Sequence, residues 1–258
     1  MTHPEPFPAQ SPWPGSQRAA LAILIFVDAQ ATGTNHGAEE HGIDYAASGL
    51  QRLLGILADL DLPATTAWTP AAISLFPQLA RNAIDAGHEF ALAGPQTSQS
   101  DLGAATLSNL ADAQVVGRVD YLSTAGWPED DGPNDAGFTW RVTGVGGDAP
   151  IPTVIDELAP SVTIPVSPYW MDRTWLDPGR PLPPSSLLEA WSLSLGEVRT
   201  EGGLMTIVLH PHIIGRPGFA GQLVRFLDEV IGTGDTWVAS IAQIADWWLR
   251  DTSPDLDR

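Results

Sequence analysis

The hydrophobic positions in the first part of the chain follow two alternating patterns. Residues 19–27 form an unbroken apolar run that ends at Asp28, which predicts a strand buried on both faces, as in a parallel sheet. Leucines from Leu50 to Leu60 then recur at helical spacing. Three more elements follow. They are a short strand from Pro63 to Trp68, a helix from Ile73 to Gly87 with Ile73 and Ala83 on its apolar face, and a strand from His88 to Leu92. This order predicts right-handed β-α-β units.

The same patterns return in the last third of the chain. Strands are predicted at 162–166, 204–209 and 236–239, and two amphipathic helices carry apolar stripes that begin at Leu223 and Ile241. Between residues 94 and 160 no core-facing period is visible, and an acidic, turn-rich stretch lies there.

The domain organisation predicted from these patterns is simple. Residues 1–18 are rich in proline and predict an extended N-terminal arm. Residues 19–258 contain no internal repeat and no linker that would divide them, so they predict one α/β domain.

Composition and charge limit the classes of partner and of chemistry that fit this chain. Hydrophobic residues make up 43% of the 258 residues and charged residues 17%, as in globular proteins. The formal net charge of −19 repels phosphate backbones and anionic headgroups, so we expect no nucleic acid and no membrane, and a neutral or cationic small molecule fits better. The acidity also fits a role in solubility alone. The absence of cysteine excludes disulfides and thiolate chemistry, and with no secretory signal visible we expect a cytoplasmic protein.

Several separated blocks carry a family resemblance. They are residues 26–30, 49–65, 76–89, 202–218 and 237–248, and the run from Leu209-His210-Pro211 to Gly215-Arg216-Pro217 is the most distinctive. In order and spacing they resemble the polysaccharide-deacetylase superfamily (NodB-homology, carbohydrate esterase 4-like), in the branch of peptidoglycan deacetylases and cofactor-free allantoinases. The resemblance implies a distorted (β/α)7 barrel, with chemistry where the carboxyl ends of the strands open into loops.

The resemblance also implies a damaged active site. Active members use an aspartate base and a divalent metal held by Asp-His-His to attack an amide carbonyl with water. Here Phe26 stands at the base position, Asp28 at the metal-binding aspartate and Gln30 at a further carboxylate. Ala93 and Thr97 stand at the two metal-histidine positions. We therefore expect no metal and no cofactor.

Other polar and aromatic residues remain as candidates. His210 is retained and is either a general acid or substrate hydrogen-bond donor, or a structural histidine bonded to nearby backbone. The resemblance suggests a substrate-binding group made of Trp170, Arg173, Trp175 and Arg216. His212 is interpreted as a surface residue or a neighbour of the site residues, and His88 as structural. A loop after Asp28 offers a relocated metal site, although a solvated loop is the simpler expectation: His36, Glu39, Glu40, His41.

Three functions are compatible with these residues. The first is a catalytically degenerate binding or regulatory subunit that recognises a small neutral or cationic molecule or a sugar, paired with an active paralogue and expected to be a homo-oligomer. The second is a metal-independent hydrolase of amide, ureide or cyclic imide C–N bonds that uses Asp28 and His210. The third is a metal-dependent sugar N-deacetylase, which the missing histidines disfavour.

Overall fold

A computed structural model describes residues 11–28, 39–94, 115, 117–119, 138–143, 149–153, 160–176 and 182–251, with the backbone alone for 39–45 and 251. The strands in these ranges are β1 (Ala19–Val27), β2 (Thr65–Trp68), β3 (Glu89–Ala93), β4 (Gly117–Val119), β5 (Trp140–Thr143), β6 (Ile151–Thr153), β7 (Ser161–Pro165), β8 (Leu204–Leu209) and β9 (Thr236–Ala239). The helices are α1 (Glu39–Asp59), α2 (Pro70–Leu75), α3 (Pro77–Asp85), α4 (Asp172–Trp175), α5 (Pro184–Glu201), α6 (Pro217–Thr233) and α7 (Ile241–Asp251), with a 3-10 turn at Pro168–Trp170.

The strands form one sheet in the order β6-β7-β5-β4-β3-β2-β1-β8, and β9 also pairs with β1. Every pairing is parallel except that of β6 with β7. Beyond β7 the chain returns to β8, because Met171 forms a parallel bridge with Val208. The sheet therefore curls towards closure, which confirms the distorted α/β barrel predicted from the sequence.

Strand β1 is the centre of this sheet. It pairs along one edge with β8, and along the other with β9 at its start and β2 at its end. All nine of its residues are buried, since both faces are covered. Leu21, Ile23 and Ile25 join a core cluster with α1, α3, α5 and α6, whereas Ala20, Leu24 and others on the opposite face pack with β5, β7 and α7.

Three features of the fold differ from the expectations drawn from sequence. The single helix expected across Ile73 and Ala83 is two helices, because Phe76 precedes Pro77 and has φ −125° and ψ 51°, outside the helical region. Helix α1 begins at Glu39, well before Leu50. Helix α5 and strands β4 to β6 were not predicted.

Residues 11–18 pack against the barrel. The extended arm predicted for residues 1–18 carried no expectation of such contacts. Trp13 is buried, and its indole nitrogen donates to the carbonyls of Gly202 and Gly203 at 2.8 and 3.0 Å. Its ring lies 5.4 Å from that of Trp248, and the indole of Trp247 donates to the Pro12 carbonyl at 2.7 Å. Within the part of the chain that is described, no helix is long and apolar enough to cross a membrane.

Candidate active site

The candidate site lies where the central parallel strands end. Ile25 pairs with Leu209, so the segments that follow β1 and β8 leave the sheet side by side. Phe26 lies near the end of β1, Asp28 comes directly after β1, and His210 comes directly after β8. Thr69, which follows β2, donates weakly to Asp28, with 3.4 Å between its Oγ1 and the carboxylate Oδ1. The structure therefore brings the two predicted catalytic residues, Asp28 and His210, to the same edge of the barrel.

A buried carboxylate that the sequence interpretation missed holds His210. Asp172 is fully buried at the start of α4, and one carboxylate oxygen accepts from the His210 backbone N–H at 2.7 Å. The other lies 2.6 Å from His210 Nδ1. A carboxylate only accepts, so in the neutral imidazole the proton sits on Nδ1 and the Nε2 lone pair is available. The dyad therefore fixes both the orientation and the tautomer of His210.

Phe26, which stands at the base position, packs against the imidazole of this dyad. Both rings are buried, and their centroids are 5.7 Å apart at 52°. His210 is only 2% exposed, and its Nε2 is buried with no hydrogen-bond partner among the described residues. The atom that would serve as the general acid or donor is thus closed to solvent.

His212 stands edge-on to His210, with ring centroids 5.9 Å apart at 81°. Burial, the neighbouring His210 and the charges of Arg173 and Arg216 lower the pKa of His212 to about 4, against the opposing effect of Asp172. The Nε of Arg216 also donates to the His212 carbonyl at 2.8 Å. Two of the predicted substrate-binding residues, Arg173 and Arg216, therefore lie beside an imidazole that is neutral at physiological pH.

The predicted aromatic ligand contacts divide between core and surface. Trp170 is buried in the larger core cluster, and Trp175 is half-buried with its indole nitrogen 2.8 Å from the Tyr169 carbonyl, to which it donates. Tyr169 is 66% exposed on the same turn and was not among the predicted contacts. A substrate-binding role for Trp170 and Trp175 stays a prediction.

The described residues do not fit the metal site of active relatives. Asp28 is present, but Ala93 at the first histidine position is a buried methyl group at the end of β3. Within the described ranges no group of three histidine, aspartate or glutamate residues is placed to hold a metal ion. Gln30, Thr97 and His36 lie outside the described residues, as do the side chains of Glu39, Glu40 and His41. We therefore derive no chemical step through a metal.

The Gly87-His88-Glu89 block lies at the opposite end of the barrel from Asp28 and His210, where β3 begins. Glu89 accepts hydrogen bonds from the Thr65 hydroxyl at 2.6 Å, the Trp140 indole at 2.7 Å and the Ala242 backbone N–H at 3.0 Å. Burial raises the pKa of Glu89 and lowers that of the adjacent His88. Glu89 therefore ties β3 to β2, β5 and α7, and the structural interpretation of His88 stays a prediction.

Comparison with known proteins identifies the fold family to which this architecture corresponds. No family model matches the chain, and no curated protein matches it. A putative polysaccharide deacetylase from Mycobacterium smegmatis superposes with a TM-score of 0.80, at 27% identity and with 94% of each chain covered. This chain has the polysaccharide-deacetylase fold. Puue allantoinase shares that fold, with a TM-score of 0.77 at 18% identity, over 96% of this chain and 98% of the allantoinase.

A pseudoenzyme also shares the polysaccharide-deacetylase fold. A mutant of the CE4 family pseudoenzyme BA3943 from Bacillus anthracis, described as having restored enzymatic activity, gives a TM-score of 0.53 at 14% identity. The match covers 91% of this chain and 70% of that one.

Proposed function

We propose that this chain is a catalytically degenerate member of the polysaccharide-deacetylase fold that acts as a binding or regulatory subunit in the cytoplasm. The observation that carries the proposal is the contact between Phe26 and His210, whose ring centroids lie 5.7 Å apart, together with a buried His210 Nε2 that has no hydrogen-bond partner in the described part of the chain. Hydrolysis of an amide needs a base to take the proton of water and an acid that can reach the leaving nitrogen. Phe26 cannot accept a proton, and His210 is closed to solvent.

The proposed ligand is a small neutral or cationic molecule or a sugar, and the proposed partner is an active paralogue within an oligomer. The net charge of −19 supports the exclusion of nucleic acid, and the fold is shared with a protein described as a pseudoenzyme. A fold that loses its chemistry can keep its binding surface, because packing and catalysis depend on different residues.

The partnership is tested by purifying the untagged protein from its native cells under mild conditions. We expect it to copurify with a second protein of the same fold that carries the carboxylate base and metal histidines absent here. A chain that elutes alone and hydrolyses amides or acetylated sugars would contradict the proposal.

A second candidate function is a metal-independent C–N hydrolase, which the intact Asp172–His210 dyad favours. Asp28 would orient water towards the carbonyl carbon, and Nε2 of neutral His210 would take a proton from that water as the C–O bond forms. The same proton would then pass from Nε2 to the leaving nitrogen as the C–N bond breaks. Phe26 would first have to move away from the imidazole.

Turnover by separate Asp28→Ala and His210→Ala variants tests this candidate, with allantoin, hydantoin and N-acetylglucosamine oligomers as probes. Loss of turnover in both variants would support it, since each residue has a separate role. Turnover that neither substitution changes would eliminate it.

A further inference from the structure

Helix α1 meets the loop that follows His210 at two glycines packed backbone to backbone. A Cβ added to Gly49 would lie 2.0 Å from the carbonyl oxygen of Pro211 and 3.4 Å from the Cα of Gly215. A Cβ added to Gly215 would lie 2.3 Å from the same Pro211 oxygen and 2.6 Å from the Cα of Gly49. These distances leave no room for any side chain at either position.

Polar contacts strengthen this junction and extend it to the site. The guanidinium of Arg52, one turn beyond Gly49 on α1, donates to the Gly215 carbonyl. Within the loop, the backbone N–H groups of Ile213 and Ile214 donate to the His210 carbonyl at 2.8 and 3.1 Å. The loop is therefore held to α1 at one end and to the dyad at the other.

We propose that Gly49 and Gly215, tied together by Arg52, are positioning residues that hold the loop bearing His212 against the His210–Asp172 dyad. Neither the family resemblance nor the site description gives these residues a role. The inference rests on the proposed function only in taking this edge of the barrel as the ligand site. The glycines act through the loop and do not themselves face the dyad.

A physical consequence distinguishes positioning from simple stability. The unusually low pKa of His212 comes first from its burial, and then from His210, Arg173 and Arg216, with Asp172 acting in the opposite direction. All of these effects depend on how closely the loop is pressed against β8 and α4. A loop displaced outwards would expose the imidazole to water, and its pKa would move back towards the ordinary value of 6.5.

The experiment is an NMR titration of the His212 imidazole in the full chain carrying Gly49→Ala. Gly55→Ala is the matched control, because Gly55 lies on the same helix with open space around its Cα. Arg52→Ala is the milder second variant, since it removes the tie to Gly215 without steric overlap. We expect the pKa of His212 to rise by about one unit or more in Gly49→Ala, by less in Arg52→Ala and not at all in Gly55→Ala.

An unchanged His212 titration in folded Gly49→Ala would overturn the proposal, as would an equal rise in Gly55→Ala. If Gly49→Ala does not fold, Arg52→Ala decides by the same criterion. The titration requires no ligand and no turnover, so failure to find either would affect the proposed function and leave this inference standing.

Discussion

Asp172 is the residue whose removal should disturb the site most. Its carboxylate is fully buried and accepts from both the backbone N–H and the Nδ1 of His210, at 2.7 and 2.6 Å. Asp172→Ala deletes the acceptor and leaves two donors of His210 buried without partners. The exposed surface of the protein changes little, so the loss should come almost entirely from these two bonds.

The expected magnitude follows from the burial of the pair. Removal of Asp172 leaves a neutral imidazole, so the loss is that of two hydrogen bonds to a charged acceptor, each of which contributes about 1.5–3 kcal/mol. We expect Asp172→Ala to lower the free energy of unfolding by about 3–5 kcal/mol, a large part of the roughly 5–15 kcal/mol of a typical domain. Asp172→Asn should lose less, because its amide oxygen still accepts one of the two bonds.

The assay is urea unfolding at neutral pH, followed by circular dichroism. Asp228→Ala is the control, since Asp228 is exposed on α6 and its replacement should change stability by less than about 0.5 kcal/mol. If Asp172→Ala loses no more than this control, with an equal denaturant slope, Asp172 does not hold His210 as described.

Three further perturbations test other parts of the structure. The pKa of His212 is lowered from 6.5 to about 4 in the folded chain, so as the pH falls the imidazole is protonated first in the unfolded chain. The neutral, buried His212 therefore contributes about 3 kcal/mol to the free energy of unfolding above pH 6.5, and this contribution is lost as the pH falls towards 4. Replacing His212 by asparagine should flatten the pH profile of unfolding over that window, and an unchanged profile would contradict the assigned environment. Trp13→Phe removes the two bonds to Gly202 and Gly203 and should cost about 1–2 kcal/mol in urea unfolding, whereas Trp13→Ala should cost about 3–5 kcal/mol; no loss in Trp13→Phe would show that the indole bonds contribute nothing. Gly117→Ala places a Cβ 1.9 Å from the Trp140 ring and should lower the melting temperature, whereas Gly196→Ala, in open space on α5, should hold or raise it.

Strands buried on both faces were the most predictable part of the fold. The apolar runs at 19–27 and 204–209 coincide with β1 and β8, because a strand covered on both sides has no polar face to obscure its limits. The strand predicted at 236–239 coincides with β9, whose two central residues are half-buried. The short strands β4 and β6, of three residues each, are too brief to establish a pattern. Helix α5 carries its buried apolar residues at helical spacing, a pattern that is sufficient to predict it: Leu187, Trp191, Leu195, Val198.

The site was predictable residue by residue but not as a set of contacts. His210, Asp28 and the apolar replacement Phe26 follow from local motifs. Asp172 could not be assigned from its neighbours, because its pairing with a histidine 38 positions away depends on the bridge between Met171 and Val208. Tertiary closure, which no local pattern records, created the dyad.

Turnover by the purified chain tests the central claim most directly. Wild-type protein, with and without added divalent metal, would be assayed for release of acetate from N-acetylglucosamine oligomers and for opening of allantoin and hydantoin, beside a His210→Ala variant. We expect no turnover above the variant under any condition, because Phe26 replaces the base and His210 Nε2 is closed to solvent. Turnover that the variant abolishes would contradict the degenerate-site account.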